Sequence, residues 1–205
     1  MEAEDAFPGF PPAYPFLLVL SGPSGVGKTV MCRRLLESEP TLALSISATT
    51  RPPRAHETDE VDYTFWSEHA FREAIARGHF LEWAVVHGNL YGTPRAPLET
   101  HLRQGRCPLL DVDVQGGRSV KAVRPDSVLV LVAPPSLFSL EERLRGRGTE
   151  GEETIRERLA IASRELAEWT HYDYLVVNDR LDRAVATVRG ILEAERARVS
   201  RRRPG

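Results

Sequence analysis

The chain has 205 residues, of which 41% are hydrophobic and 27% charged, and this is enough for one domain with a full core. Its formal net charge of −2 provides no overall positive field, so we expect no nucleic-acid partner and no membrane partner. The only cysteines, Cys32 and Cys107, do not form a CxxC pair, which argues against a disulfide framework or a zinc site and is compatible with a cytoplasmic protein.

The first 15 residues combine acidic residues with repeated prolines. A secretory signal would need basic residues followed by a long apolar stretch, so residues 1–15 are predicted to be a disordered tail. The apolar run from Phe16 to Leu20 is too short to span a bilayer and predicts a buried strand. Residues 16–205 are predicted to form a single domain.

Beyond the tail, short apolar runs alternate with segments of helical periodicity. Predicted helices run from about Thr29 to Glu39, near Ser119, from Ser136 to Arg145 and from about Asp182. Predicted strands have the sequences FLLVL, CPLLDVDV, SVLVLV and YLVV. This alternation is typical of an α/β fold, and strands that are apolar almost throughout indicate a parallel sheet flanked by helices.

Residues 48–93 depart from this pattern. They contain short strands, turn residues and one helix near residues 67–77, which Gly78 is expected to end in a left-handed conformation. We therefore predict an inserted α+β subdomain at 48–93, with the core of the domain formed by residues 16–47 and 94–205. A second irregular segment, GRGTEGEE at 146–153, places glycines among charges between two helices, which predicts a mobile lid at about residues 143–158.

A phosphate-binding motif follows the first predicted strand. The sequence GPSGVGKT matches the P-loop pattern GxxxxGK[ST] and lies between a strand and a helix, as the mechanism of such loops requires. Lys28 is predicted to contact the β- and γ-phosphates of a nucleotide, and the Thr29 hydroxyl to be a magnesium ligand. The predicted nucleotide-binding residues are Gly22, Pro23, Ser24, Gly25, Val26, Gly27, Lys28 and Thr29.

The group that accepts the phosphoryl must be inferred from another part of the chain. The segment SISATTRPPR carries Arg51 and Arg54 among several hydroxyl groups, and two forked cations could hold one phosphate. Acidic residues at 57, 59, 60 and 62 follow closely, so local surface ion pairing is an open alternative for these arginines.

From Phe16 to about Arg196 the chain resembles the bacterial and eukaryotic guanylate kinases. The resemblance rests on eight blocks in the same order: GPSGVGKT, SISATTRPPR followed by His56-Glu57, DYTF, FLEWAVVHGNLYGTP, LLDVDVQG, APPS, RLRGRGT and VVND. It implies a P-loop NTPase core with a GMP-binding subdomain and a lid. It also implies a magnesium-dependent enzyme of purine nucleotide metabolism that transfers the γ-phosphoryl group of ATP to GMP, and to dGMP, giving ADP and the guanine nucleoside diphosphate.

Matched position by position, the resemblance implies two groups of GMP-binding residues. The phosphate of GMP would be held by Ser47, Arg51, Arg54, Tyr63 and Tyr91. The base would be bound by Glu82, Thr93 and Asp113, which is chemically sensible because a carboxylate accepts the N1–H and N2–H₂ donors that guanine offers.

Further roles concern the metal and the transferring phosphoryl group. Asp111 could support magnesium through water, although a role in helix capping or in loop hydrogen bonding fits it nearly as well. The resemblance assigns Arg143, Arg147 and Arg158, together with Lys28 and Arg51, to catalysis, where positive charge stabilises the transferring group; surface positions for these lid arginines remain the alternative. Asn178 is expected either near the adenine base or capping a strand end.

Two other functions compete with this one. Guanylate-kinase-like domains of scaffold proteins bind peptides and typically lose P-loop residues, whereas Lys28 and Thr29 are intact here. A kinase for another monophosphate would not need the set of guanine-binding residues named above. The chain also departs from the family at Ala55-His56 and at Glu60, where a glycine is common. We expect a monomer or a homodimer.

Overall fold

A computed structural model describes residues 12–54, 57–86, 88–146 and 151–202. The strands are β1 (Leu18–Ser21), β2 (Leu42–Leu44), β3 (Ala48–Thr49), β4 (Thr64–Phe65), β5 (Phe80–Val86), β6 (Asn89–Pro94), β7 (Cys107–Val112), β8 (Val128–Ala133) and β9 (Tyr174–Val177). The helices are α1 (Lys28–Ser38), α2 (Glu68–Ala76), α3 (Arg95–Arg103), α4 (Val114–Val123), α5 (Leu137–Arg145), α6 (Glu152–Ala167) and α7 (Leu181–Ala197), with 3-10 helices at Glu168–His171 and Val199–Arg201. The predicted alternation of strands and helices is confirmed.

Five parallel strands form the main sheet, in the order β2-β7-β1-β8-β9. Parallel strands need crossover connections, and here helices provide them and cover both faces. The central strand β1 has β7 on one side and β8 on the other, so the strand order reverses beside it. Ligands of open α/β sheets bind at such a switch point, outside the carboxyl ends of the strands, and the chain after Ser21 emerges there.

Alternate residues along β1 and the residue directly before it pack into two different hydrophobic cores, as the two-residue period of an extended chain requires. Leu18 and Leu20 pack with residues of α1, α5, α6 and α7 on one face of the sheet. Leu17 and Val19 pack with residues of α3 and α4 on the other face. Both faces of the sheet are therefore buried, which explains why its strands are apolar almost throughout.

A second sheet of four strands, in the order β4-β3-β6-β5, is built from the segment after β2. Its small core contains Phe71 and Phe80, whose rings stack with centroids 4.3 Å apart, and the partly buried Trp66 packs against them. The pairing of β5 shifts register between Phe80 and Glu82. Leu81, at this irregularity, packs into the main core beside α3 and α4, so β5 ties the second sheet to the first.

Local sequence sets the ends of α2 as predicted. The Ser67 side chain caps the helix by accepting a hydrogen bond from the Ala70 N–H, and Gly78 follows it with a φ of 69°. The connection between α5 and α6 contains residues 147–150, which lie outside the described residues. Along α6, Ile155 and Ala162 are buried. Within the described ranges, no helix is both long enough and apolar enough to cross a bilayer.

Candidate active site

The loop from Gly22 to Gly27 turns tightly at the carboxyl end of β1. Gly22 has a φ of 143°, and a Cβ there would lie 2.3 Å from the carbonyl oxygen of Val132, so only glycine fits. Gly27 precedes α1 with a φ of 94°. Pro23 and Val26 are buried, Gly25 and Gly27 are half-buried, and Ser24 is exposed. The loop therefore has the glycine-dependent form that brings backbone N–H groups close to a phosphate.

Lys28 and Thr29, which directly follow this loop, both donate hydrogen bonds to oxygen atoms. The ammonium group of Lys28 donates to the carbonyl oxygens of Gly22, at 2.5 Å, and Pro23, at 3.1 Å. The Thr29 hydroxyl donates to Oδ2 of Asp111 at 2.8 Å, although the two residues are 82 positions apart. The structure thus brings together Thr29 and Asp111, the two residues that the sequence suggested for a metal.

Two side chains hold the loop from outside. The Asn178 amide donates to the carbonyl oxygen of Val26 at 2.8 Å and is buried. Arg143 donates to the carbonyl oxygens of Asn178, at 2.7 Å, and Val26, at 3.4 Å. The hydrogen bond to Val26 is a third role for Asn178, distinct from the two that the sequence suggested. The hydrogen bonds that Arg143 donates place it beside the P-loop.

Arg51 is held in a fixed orientation by Glu57 and Tyr91. One of its terminal nitrogens donates to both carboxylate oxygens of Glu57, at 2.8 and 2.9 Å, and its Nε donates to the Tyr91 hydroxyl at 3.1 Å. Both partners of the ion pair are largely buried. Burial alone would raise the pKa of Glu57, but hydrogen bonds from the Arg54 N–H and from Arg51 outweigh it and lower the pKa. The ion pairing that the sequence left open as an alternative for Arg51 is therefore present, but the pair is largely buried, and it orients the predicted phosphate ligand.

Three of the other predicted phosphate ligands, Tyr63, Tyr91 and Arg54, lie around this ion pair. The rings of Tyr63 and Tyr91 meet edge to face with centroids 5.9 Å apart, and the Arg51 guanidinium lies 5.6 Å from the Tyr63 ring centroid. Burial, reinforced by the negative charge of Asp111, raises the pKa of Tyr63 to about 12. Ser47 is half-buried just before β3, whereas Arg54 has a largely exposed side chain.

The loop between β3 and β4 has one unusual backbone conformation. Glu60 has a φ of 61°, in the left-handed region that favours glycine. This is the position where a glycine is common in the resembled family. Arg33 of α1 pairs with Asp62 of the same loop at 3.1 Å and so connects the loop to the main core. Residues 55 and 56, the other departure from the family pattern, lie outside the described residues.

A buried carboxylate lies on the second sheet. Glu82 is only 8% exposed, and its Oε1 accepts the Thr93 hydroxyl at 2.6 Å across the β5–β6 pair. Burial raises its pKa, the Thr93 hydrogen bond acts in the opposite direction, and the negative charge of Asp113 adds to the increase. A Cβ at Gly116 would lie 3.4 Å from Glu82 Oε2 and 3.3 Å from Asp113 Oδ1, so both carboxylates approach the start of α4.

Asp111 and Asp113 have different hydrogen-bond partners. Asp113 caps α4, since its Oδ1 accepts the Gly116 N–H at 2.7 Å, while Asp111 accepts the Thr29 hydroxyl. The helix-cap role that the sequence left open for Asp111 therefore belongs to Asp113. Among the described residues, no group of three or more His, Cys, Asp or Glu side chains could hold a metal ion by itself.

The structure describes only some of the predicted lid arginines. Arg158 is half-buried on α6, and Arg147 lies outside the described residues. Arg145 pairs with Glu141 at 2.8 Å and with Glu152, and it connects the end of α5 to the start of α6.

Sequence reasoning missed three residues around the site. Ser21 is fully buried, and its hydroxyl donates to the carbonyl oxygen of Asp113 at 2.8 Å and contacts the Tyr172 hydroxyl at 2.8 Å. Glu165 of α6 is half-buried, and burial raises its pKa, with the charges of Lys28 and Asp113 acting on it in opposite directions. No motif contains these residues. Only the position of Ser21, directly before the P-loop, is a signal in the sequence.

Comparisons with known proteins agree on one family. A family model described as guanylate kinase matches residues 14–195. A guanylate kinase of Symbiobacterium thermophilum is 49% identical over 185 residues, which cover 90% of this chain and 88% of the relative. A guanylate kinase of Anaeromyxobacter dehalogenans is 48% identical over 198 residues, covering 96% of this chain and 85% of the relative. The crystal structure of guanylate kinase from Anaplasma phagocytophilum matches with a TM-score of 0.79 and 31% identity, and covers 93% of this chain and 91% of that one.

Proposed function

The chain belongs to the guanylate kinase family, and from this premise we propose that it transfers the γ-phosphoryl group of ATP to GMP and dGMP, giving ADP and GDP or dGDP. One observation carries the proposal most directly. The intact P-loop, with Lys28 and Thr29, lies at the same edge of the main sheet as Asp113. The buried carboxylate of Glu82 lies near that of Asp113, at the start of α4. The first group suits a nucleotide phosphate, and the second suits a base that offers hydrogen-bond donors.

We propose that the phosphate of GMP binds at Ser47, Arg51, Arg54, Tyr63 and Tyr91. Arg51 supports this role because its guanidinium is already oriented by Glu57 and Tyr91. A guanidinium that is fixed before binding loses little side-chain entropy when it meets a phosphate. Arg54 has an exposed side chain with only a long 3.8 Å ion pair to Glu57, so it would close over the ligand at little cost.

We propose that guanine is bound by Glu82, Thr93 and Asp113. In the structure the Thr93 hydroxyl donates to one carboxylate oxygen of Glu82, and the Gly116 N–H donates to one carboxylate oxygen of Asp113. Each carboxylate therefore has a second oxygen that could accept a donor from N1 or N2 of the base. Adenine lacks this pair of donors and would leave buried acceptors unpaired, which is the costly outcome that gives such sites their selectivity.

We propose that ATP binds along Gly22, Pro23, Ser24, Gly25, Val26, Gly27, Lys28 and Thr29, with Mg²⁺ at Thr29 and Asp111. The residues fit the metal because both offer oxygen and their side chains already meet at 2.8 Å. A site with few protein ligands also suits Mg²⁺, which usually keeps waters and substrate phosphates as its remaining ligands. When bound, the ion would neutralise charge on the transferring phosphates.

Catalysis is proposed to depend on Lys28, Arg51, Arg143, Arg147 and Arg158. A phosphate oxygen of GMP is already ionised and nucleophilic, so no general base is required. The protein must instead align donor and acceptor, exclude water and place positive charge around the transferring group. Arg143 supports this role through its contact with the P-loop at the carbonyl oxygen of Val26.

Movement of the second sheet and of the region after α5 is part of the same proposal. We propose that residues 48–93 act as a GMP-binding subdomain on a core of 16–47 and 94–205, and that a lid at about 143–158 closes over ATP. Closure would bring the substrates together and keep water from the γ-phosphate. The chain is further proposed to act in the cytoplasm as a monomer or a homodimer, without a nucleic-acid or membrane partner.

The test is a coupled assay of ADP production from ATP and Mg²⁺, with GMP, dGMP, AMP, CMP and UMP offered in turn. We expect turnover with GMP and dGMP only, and a loss of about 100-fold or more in Lys28→Ala. Activity chiefly with AMP would refute the guanine assignment of Glu82 and Asp113. Binding of GMP without turnover of any acceptor would instead support a non-catalytic binding module.

A further inference from the structure

A buried chain of hydroxyl groups connects Tyr172 to the main chain of Asp113. Ser21 Oγ lies 2.8 Å from the carbonyl oxygen of Asp113 and 2.8 Å from the Tyr172 hydroxyl. A carbonyl oxygen can only accept, and serine has a single hydroxyl hydrogen, so Ser21 donates to Asp113. Tyr172 must then donate to Ser21, and the chain runs in one direction, from Tyr172 through Ser21 to Asp113.

The direction of hydrogen-bond donation along these hydroxyl groups does not change around neutral pH. Burial raises the pKa of Tyr172 to about 12; the Ser21 hydrogen bond acts in the opposite direction, and the negative charges of Glu165, Asp113 and Glu168 add to the increase. The tyrosine hydroxyl therefore keeps its proton and remains a donor. Ser21 is 0% exposed, so solvent does not reach its hydroxyl while Tyr172 is in place.

Asp113 is fixed on several sides, and Ser21 supplies one of the contacts. Its carbonyl oxygen accepts the Gly117 N–H at 3.0 Å as well as the Ser21 hydroxyl, and its Oδ1 accepts the Gly116 N–H at 2.7 Å. Helix α4 also approaches Ser21 closely, since a Cβ at Gly117 would lie 3.1 Å from Ser21 Oγ. The direction of the Asp113 carboxylate thus depends on the position of its own backbone.

From this geometry we infer that Tyr172 is a positioning residue for guanine binding, which acts through Ser21 on the main chain of Asp113. The inference rests on the proposed function, because it assumes that Asp113 binds the base. Tyr172 directly follows the 3-10 helix at residues 168–171, which continues α6. The hydroxyl chain therefore also ties the end of α6 to the base site.

Tyr174 provides a matched control two residues further along. Its hydroxyl, like that of Tyr172, belongs to a half-buried ring, and it donates to Oε1 of Glu195 at 2.7 Å. Glu195 lies on α7, in a cluster with Arg198 and Arg201 that contains none of the proposed site residues. Removing this hydroxyl also breaks one hydrogen bond but leaves Asp113 untouched.

The experiment compares Tyr172→Phe and Tyr174→Phe with the wild-type chain in the coupled assay, with ATP and GMP varied separately. We expect Tyr172→Phe to raise KM for GMP about tenfold, because the proposed base ligand is displaced, while kcat and KM for ATP stay within about twofold. Tyr174→Phe should leave all three values within about twofold. Because Tyr172 acts through Ser21, Ser21→Ala and the double variant with Tyr172→Phe should have equal KM values for GMP.

The inference is overturned if Tyr172→Phe leaves KM for GMP within twofold of the wild type, or if it raises KM for ATP to the same extent. It is also overturned if the effects of Ser21→Ala and Tyr172→Phe multiply in the double variant, since the tyrosine would then act by another route. These results differ from a failure of the proposed function, in which the wild-type chain and Tyr174→Phe would themselves not phosphorylate GMP.

Discussion

Replacing Glu82 with glutamine removes one negative charge from the proposed base site and preserves the shape of the side chain. Glu82 is buried, and its Oε1 accepts the Thr93 hydroxyl at 2.6 Å. A glutamine can keep that hydrogen bond through its amide oxygen, but its NH₂ group then faces the base. Guanine presents N–H donors on the same edge, so a donor would meet a donor.

The expected loss follows from the hydrogen bond that disappears. A hydrogen bond to a charged group contributes about 1.5–3 kcal/mol, and each 1.4 kcal/mol corresponds to a factor of about ten. Glu82→Gln should therefore raise KM for GMP by about 10- to 150-fold. Stability should respond differently. Burial raises the pKa of Glu82 above that of the unfolded chain, so its ionised form opposes folding at neutral pH, and the neutral amide should leave Tm unchanged or higher.

The assay measures kcat and both KM values for each variant, together with thermal unfolding. Glu195→Gln is the matched control, because Glu195 is also a buried carboxylate but pairs with Arg198 and Arg201 away from the site. It should lower Tm and leave KM for GMP unchanged. A KM for GMP within twofold of the wild type in Glu82→Gln, or a Tm that falls as far as in Glu195→Gln, would refute the reasoning.

Three other expectations concern the metal site, the support of the P-loop and the titration of the base site. Asp111→Asn should raise the Mg²⁺ concentration needed for half-maximal turnover by about 10- to 100-fold, because the charge that faces Thr29 is lost. Asn178→Ala should lower Tm by a few degrees and raise KM for ATP, because the carbonyl of Val26 loses its shorter hydrogen bond, worth about 0.5–1.5 kcal/mol, and keeps only the 3.4 Å one from Arg143. GMP binding should be complete above the raised pKa of Glu82 and be lost as the pH falls through it, at a higher pH than for an ordinary glutamate.

Each of these expectations has a contradicting result. An unchanged Mg²⁺ requirement in Asp111→Asn would remove Asp111 from the metal site, and an unchanged Tm in Asn178→Ala would show that the P-loop does not depend on its amide. For the titration, the measured quantity is the ratio of KM for GMP between Glu82→Gln and the wild type. The phosphate of GMP titrates equally in both, so a ratio that does not change with pH would contradict the role of the Glu82 carboxylate.

The parts of the fold that backbone geometry dictates were predictable from the sequence. Strand β1 was expected at residues 16–20 and lies at Leu18–Ser21, and α1 begins one residue before its predicted start at Thr29. The P-loop was recognisable because its glycines are obligatory, as the 2.3 Å approach of a Cβ at Gly22 to the Val132 carbonyl illustrates. Hydrophobic periodicity and glycine positions are local signals, and both are legible in one sequence.

Contacts between distant segments were not predictable in the same way. Tyr172 and Ser21 are 151 positions apart, and Asn178 is 152 positions from the carbonyl of Val26. Such pairings depend on how helices and strands pack, and no periodicity encodes them. The sequence suggested different roles for Asp111 and Asp113 but could not show which of them caps α4, because capping depends on where β7 ends and α4 begins.

The ion pair between Arg51 and Glu57 also determines how strongly the loop attracts an approaching anion. Two unopposed guanidinium groups would draw a phosphate dianion from a distance, with an association rate that falls steeply as salt is added. Here Glu57 cancels one of those charges before the ligand arrives, so Arg51, Arg54 and Glu57 together carry one net positive charge. The capture rate of the nucleotide should therefore depend only weakly on ionic strength, and selection among phosphorylated metabolites should take place after encounter, in the dissociation rate.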